Sequence, residues 1–208
     1  QGIYRSTDSG LTFTQMDNTT DIFDGVSQAW YDLAISASNT NQNEIYVGVL
    51  NIWKSSNGGN SFSQVNNWTS RNASYTHADI HFIRDFENGL FVGSDGGVFK
   101  STDNGSSFED LTVGLSITQF YRISVSKQDS GKIAGGAQDN GGFGFNNQWA
   151  SYHGGDGMEG IIHPLNDDWM IGSYQYGSRF RTKNGGLSSS GVTPPGQGGS
   201  GNGAWVAP

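Results

Sequence analysis

The chain has 208 residues, no cysteine, a net charge of −8 and only 14% charged side chains. It is long enough to bury a core. Its negative charge opposes nucleic acid and anionic lipid, and the missing thiols exclude disulfides, thiolate nucleophiles and thiolate metal sites. No apolar run approaches the roughly 20 residues of a membrane helix, so neither nucleic acid nor membrane insertion is expected. The 32 glycines argue against helix, since each interior glycine costs a helix about 1 kcal/mol relative to alanine. Sheet with many turns is the expectation.

Taken in chain order, the first element is YRSTDSGLTF (4–13), an apolar and basic pair running into a turn. AWYDLAIS (29–36) and IYVGVLN (45–51) alternate as strands, and WKSSNGGNSF (53–62) repeats the opening pattern. HADIHFI (77–83), GLFVGS (89–94), GVFKS (97–101) and SFEDL (107–111) read as four successive strands, A to D. The STDNG turn lies between the last two, inside FKSTDNGSSF (99–108). TQFYRISVS (118–126) and EGIIHP (159–164) are further A strands, while IAGGAQD (133–139) and WMIGSYQ (169–175) are further B strands. FRTKNGG (180–186) is a weaker copy of the turn pattern.

These elements are periodic. Asp8, Asn57 and Asp103 are 49 and 46 residues apart, and Asn184 follows 81 later, which fits two periods with one turn motif lost. Gly48, Gly93, Gly135 and Gly172 of the B strands are spaced by 45, 42 and 37. A period of about 40 to 50 built from short strands predicts an all-β fold, a β-propeller of four-stranded antiparallel blades. About four to five blades occupy residues 1–190, with a Gly-rich loop or degraded strand D at 191–203. AWVAP (204–208) reads as the opening strand of a further blade. Because Gln1 is followed at once by a strand C, the chain is expected to be an incomplete ring. Remaining blades or other domains of a longer chain would then be partners.

The shared pattern Ser, x, Asp/Asn, x, Gly, x, Ser/Thr, Phe resembles the Asp-box, or bacterial neuraminidase repeat, of sialidases, sortilin-like receptors and xyloglucanase-like propellers. It covers Ser6, Asp8, Gly10 and Phe13, then Ser55, Asn57, Gly59 and Phe62, then Ser101, Asp103, Gly105 and Phe108. Physically, the Asp or Asn accepts backbone N–H groups across the C-to-D turn, the glycine takes positive φ, and the aromatic plugs the gap between sheets. Asparagine at position 57 suits a turn and would ruin an acid, so the box is structural. The resemblance implies that the boxes lie on the side opposite the ligand face.

The D-to-A and B-to-C connections open on that other side and collect His77, Asp79, His81, Asp95, Gln138, Asp139, His153, Asp156 and Glu159. Of these, His77, Asp79, His81, Asp95, Gln138, Asp139 and Asp156 form the expected ligand-binding surface, in one shared depression. Alternation along strand A would place His77, Asp79 and His81 on one face, where they could hold a divalent metal ion. The alternative there is a hydrogen-bonded polar network. Asp79, Asp95, Asp139 and Asp156 are the candidates for an acid and base, and Trp30, Trp68, Trp149 and Tyr174 for sugar-stacking platforms.

The order HADIH, SDGGVFKSTDNGSSF, LSITQFY, GAQDNGGF and GGDGMEG resembles secreted propellers of Bacteroidetes surface and type IX secretion cargo proteins. That resemblance implies a bacterial protein, secreted or on the cell surface. The expectation is a noncatalytic module for binding or adhesion to glycan or protein. The alternative is a xyloglucanase-like glycoside hydrolase using the carboxylates of that face, while the arginine triad of sialidases is missing.

Overall fold

The computed structural model describes residues 2–17, 19–192 and 203–206. Its described residues form two compact units, one ending at Leu115 and the other starting at Ser116. Among the described residues all regular structure is antiparallel sheet except one 3-10 turn at Gln175–Gly177.

The first unit opens with the hairpin β1 (Tyr4–Arg5) and β2 (Thr14–Gln15). A four-stranded sheet follows, made of β3 (Ala34–Ala37), β4 (Ile45–Gly48), β5 (Ile52–Ser55) and β6 (Ser63–Gln64). The next comprises β7 (Ile80–Phe86), β8 (Gly89–Ser94), β9 (Gly97–Ser101) and β10 (Glu109–Asp110). Each sheet pairs its strands strictly in sequence order, as a propeller blade does. Between the sheets lies a core of Ala34, Tyr46, Ile52, Ile80, Ile83, Leu90, Val92 and Phe99. The alternation that the sequence shows along β8 and β9 is what puts Leu90, Val92 and Phe99 on one buried face.

The second unit holds two such blades. One contains β11 (Phe120–Val125), β12 (Lys132–Ala137), β13 (Gly141–Asn146) and β14 (Gln148–His153). The other contains β15 (Gly157–Ile162), β16 (Met170–Tyr174), β17 (Ser178–Thr182) and β18 (Ser190–Val192). The two meet almost backbone to backbone: a Cβ on Gly136 would lie 2.3 Å from the carbonyl carbon of Gly157. The glycines of IAGGAQD therefore permit close packing. Beside them, Tyr152 and His153 fill the space between blades, with His153 stacked on Phe180 at 4.9 Å. Burial pushes the Tyr152 phenol up to about 12, with Glu159 adding to the shift.

The box turns repeat atom for atom. Ser101 Oγ donates to Asp103 Oδ1 (2.8 Å) and accepts from Gly105 N–H (2.8 Å), while Asp103 accepts from Ser107 N–H (2.8 Å) and Ser107 Oγ (2.6 Å). Ser6, Asp8, Gly10 and Thr12 make the same set, and Ser55, Asn57, Gly59 and Ser61 make it with the last bond reversed, Asn57 Nδ2 donating to Ser61 Oγ. A fourth copy uses Thr182, Asn184, Gly186 and Ser188. In each, the glycine has positive φ, from 85° to 96°. The Ser55, Ser101 and Thr182 hydroxyls belong to buried residues, whereas Asp103 is exposed. The hydroxyl is thus the inner half of the staple and the carboxylate or amide the outer half.

Several expectations are corrected. Strand A of the third repeat starts at Ile80 rather than at 77, because Asp79 sits at φ 59° and a bulge follows between Ile80 and Phe82. AWYDLAIS gives strand only from Ala34, since Tyr31 and Asp32 turn back onto the Gln28 carbonyl. The outer strand at 107–111 shrinks to two residues, because Phe108 donates its N–H to Ala73 O. Phe62 is buried and Phe108 packs against the core, but Phe13 is 64% exposed and plugs nothing among the described residues. In the repeat without a box, β13 and β14 are joined through Asn147 alone at φ 61°. Residues 190–192 are strand, while 193–202 and the last two residues of AWVAP lie outside the described residues. Trp205 has no strand structure and packs edge-on against Tyr176 at 5.3 Å.

The buried hydroxyl should matter more than the exposed carboxylate. Ser101→Ala leaves the Gly105 N–H without an acceptor and is expected to cost roughly 1 to 3 kcal/mol in thermal or denaturant unfolding. Asp103→Asn should match the wild type near neutrality, since positions 57 and 184 already use Asn. Its pH response should differ, because the Ser107 and Ser101 bonds hold the Asp103 carboxyl down at about 2. The stabilisation this gives is present above the ordinary value of 3.8 and fades as pH falls toward 2, and the Asn variant should lack that dependence.

His153 provides a second test. It is buried, its Nδ1 contacts Gly154 O at 2.9 Å, and its Nε2 has no hydrogen-bond partner. Burial holds it below its ordinary value of 6.5, so folding favours the neutral ring. Its contribution is therefore intact above 6.5 and lost progressively as pH falls below that value. Melting curves of His153→Phe should decline less on acidification than those of the wild type.

Candidate functional site

The ends of the strands opposite the boxes carry polar clusters in both units. In the first unit the turn between β8 and β9 presents Asp95, and the start of β7 presents Asp79 and His81. His81 Nε2 lies 2.6 Å from Asp95 Oδ1, and Asp95 N–H donates to Asp79 O at 3.2 Å. The Gln28 side-chain amide donates to both Asp79 Oδ1 and Asp32 Oδ2. The ring of Tyr31 meets that of His81 edge-on at 4.9 Å, and Trp30 follows at 5.7 Å from Tyr31. Trp30 is 84% exposed. A continuous path thus runs from two partly or largely exposed aromatic rings to an imidazole and three carboxyls.

The proposed metal set is not assembled. With Asp79 in the left-handed region, alternation fails ahead of β7 and the three side chains diverge. His77 turns its Nδ1 to Ala78 O at 3.1 Å and lies against Gly96, while Asp79 goes to Gln28 and His81 to Asp95. Among the described residues no group of three or more acidic, imidazole or thiol side chains is placed to hold a metal ion.

Beside this cluster an open groove of about 620 Å³ runs between β3 and β7. Leu33, Ile35 and Phe82 give it apolar walls, and His81, Arg84 and Asp85 give it polar ones. Leu33, Ile35 and Phe82 are each about half exposed.

In the second unit the turn between β12 and β13 carries Gln138 and Asp139, the latter at φ 58°. Asp156, just ahead of β15, accepts Asp139 N–H at 2.9 Å on one oxygen and Gln175 Nε2 at 2.7 Å on the other. Its own N–H donates to Gln175 Oε1 at 3.1 Å. Buried and bonded on both oxygens, Asp156 clamps two turns together. Tyr121 donates to Gln138 at 3.4 Å, and Glu159 is paired with Arg122 at 3.0 Å.

Of the four platform candidates, Trp30 is the most exposed. Trp149 packs among Phe120, Phe143 and Phe145, and Tyr174 lies on His153 and Phe180. Trp68 is 42% exposed in the loop ahead of β7. Sequence reasoning missed Gln28, Tyr31 and Asp32. The signal for Asp32 was an acid just ahead of an inner strand, the place that Asp79 and Asp156 also occupy.

No protein-family model matches the chain, and no curated protein matches it. Solved structures do resemble it. The GH74 enzyme of Niastella koreensis is 20% identical, with 90% of this chain aligned to 33% of that one at a TM-score of 0.41. The GH74 xyloglucanase of Xanthomonas campestris is 14% identical over 91% of this chain and 34% of its own, at 0.41. A structure of YCF48 bound to D1 peptide is 10% identical over 88% of this chain and 73% of its own, at 0.37. The chain spans about a third of the length of the two GH74 enzymes it resembles.

Proposed function

We propose that the chain is the propeller part of a secreted or cell-surface bacterial protein and acts as a noncatalytic binding or adhesion module. Its ligand is a glycan, with a protein as the second class. The observation that carries this reading is the run of Trp30, Tyr31, His81 and Asp95, where exposed aromatic faces adjoin side chains able to hydrogen-bond hydroxyl groups. Sugar recognition needs that combination of a stacking face and convergent polar groups. Asp79 and Gln28 hold the polar groups in place from behind. Gln138 and Asp139 of the second unit present a comparable polar turn.

Glycoside hydrolysis by a pair among Asp79, Asp95, Asp139 and Asp156 is the alternative. A general acid needs a raised carboxyl in contact with substrate. Asp32, whose carboxyl burial pushes upward, has no exposed surface and lies out of reach. This favours binding over turnover.

Both readings meet in one experiment with a panel of polysaccharides. Binding by pull-down or calorimetry should weaken by roughly 0.5 to 1.5 kcal/mol in Trp30→Ala, the worth of one aromatic contact, and should weaken in Asp95→Asn. Asp103→Asn should bind like the wild type, and no reducing ends should appear on long incubation. Release of sugar that disappears in Asp95→Asn or Asp139→Asn would replace the binding reading with the hydrolase.

A further inference from the structure

We propose that Asp32 and Asp79 hold a single proton between them at neutral pH, with Asp32 as the acid, and that the pair locks the segment carrying Trp30 and Tyr31. Asp32 is 0% exposed, and its Oδ1 meets no donor. Its Oδ2 takes the Gln28 amide at 2.6 Å, and the same amide nitrogen also serves Asp79 Oδ1. Two ionised carboxylates here would share one amide, with the Asp32 carboxylate shut off from water, which is unfavourable. With Asp32 protonated, its O–H donates to Asp79 and its other oxygen still accepts from Gln28. Burial first, and then the Asp79 carboxylate, favour that protonated form.

The surrounding elements carry other titratable groups, but each is engaged elsewhere. His81 and Asp95 bond each other, His77 faces Ala78 O, and Asp24 accepts from Asn51 N–H and Trp53 Nε1. The groups acting on Asp32 are Gln28, Asp79 and its own N–H. The pair joins the loop that bears Trp30 and Tyr31 to the strained start of β7, where Asp79 sits at φ 59°. Since the folded state favours the protonated acid, the pair's contribution is complete below the ordinary 3.8 of aspartate and shrinks as pH rises through the higher folded value. Alkaline conditions should therefore loosen the aromatic segment. This inference goes beyond the proposed function and holds or fails whatever the ligand is.

The wild type labelled with [13C]aspartate should show one protonated carboxyl resonance at pH 7, missing from Asp32→Asn. The asparagine supplies a fixed donor to Asp79 and a fixed acceptor to Gln28. Hydrogen exchange, corrected for its intrinsic pH dependence, should show loss of protection in 28–33 of the wild type as pH rises and none in Asp32→Asn. If Asp32→Asn does not fold, Asp79→Asn serves instead: with the neighbouring charge removed, the wild-type resonance should titrate at lower pH. Absence of any protonated aspartate at pH 7 overturns the proposal. So does a calcium-induced rise in melting temperature that the wild type shows and Asp32→Asn lacks, since a cation rather than a proton would then hold the pair.

Discussion

A single hydrogen-bonded motif, the serine or threonine hydroxyl that receives a glycine N–H four residues later, closes one end of three blades and of the opening hairpin. A C-to-D turn must reverse the chain between a buried strand and a short outer strand, which leaves a backbone N–H pointing inward with no strand partner. The hydroxyls of Ser55, Ser101 and Thr182 satisfy it. The Asp or Asn two residues on then ties down the far side of the turn from the solvent side. Because both halves are local, the turn needs no help from the rest of the blade. The opposite ends of the strands are thereby left free to differ.

They differ in a patterned way. Just ahead of three of the four inner strands, β3, β7 and β15, an acid is held by a glutamine: Asp32 and Asp79 by Gln28, and Asp156 by Gln175. Asp156 is spent on this structural task. Asp95 instead pairs with a half-exposed imidazole next to Tyr31, and the first unit thereby keeps polar atoms at its surface beside exposed aromatic faces. Charge is scarce over the whole chain, so this concentration is the feature on which the proposed binding surface rests.

Much of this was legible in the residues. GLFVGS and GVFKS alternate cleanly between flanking glycines, and β8 and β9 occupy those residues. The repeated pattern marked the four turns, with FRTKNGG as the weaker copy, but not the serine or threonine hydroxyl that receives the glycine N–H in each. What stayed hidden depended on contacts between distant segments. Phe108 leaves the outer strand because Ala73 offers it a carbonyl, and no local pattern announces that. Asp79 adopts positive φ although its neighbours alternate like a strand, which dissolves the three-residue metal face that strict alternation would build. Asp32 lies inside AWYDLAIS, which alternation reads as strand throughout, and its full burial and its bond from Gln28 emerge only in the fold. Asn147 replaces a whole box by one residue, which explains the doubled spacing between the third and fourth copies.

The central claim is a division of labour, in which box turns hold the blades and the opposite ends meet the ligand. Amide NMR of the labelled protein, titrated with a polysaccharide selected by pull-down, tests it most directly. The account predicts shift changes at 28–33, 79–81 and 94–96, with the box turns at 8–12, 57–61, 103–107 and 184–188 unmoved. Changes concentrated in the box turns, with the segments around Trp30 and Asp95 silent, would contradict it.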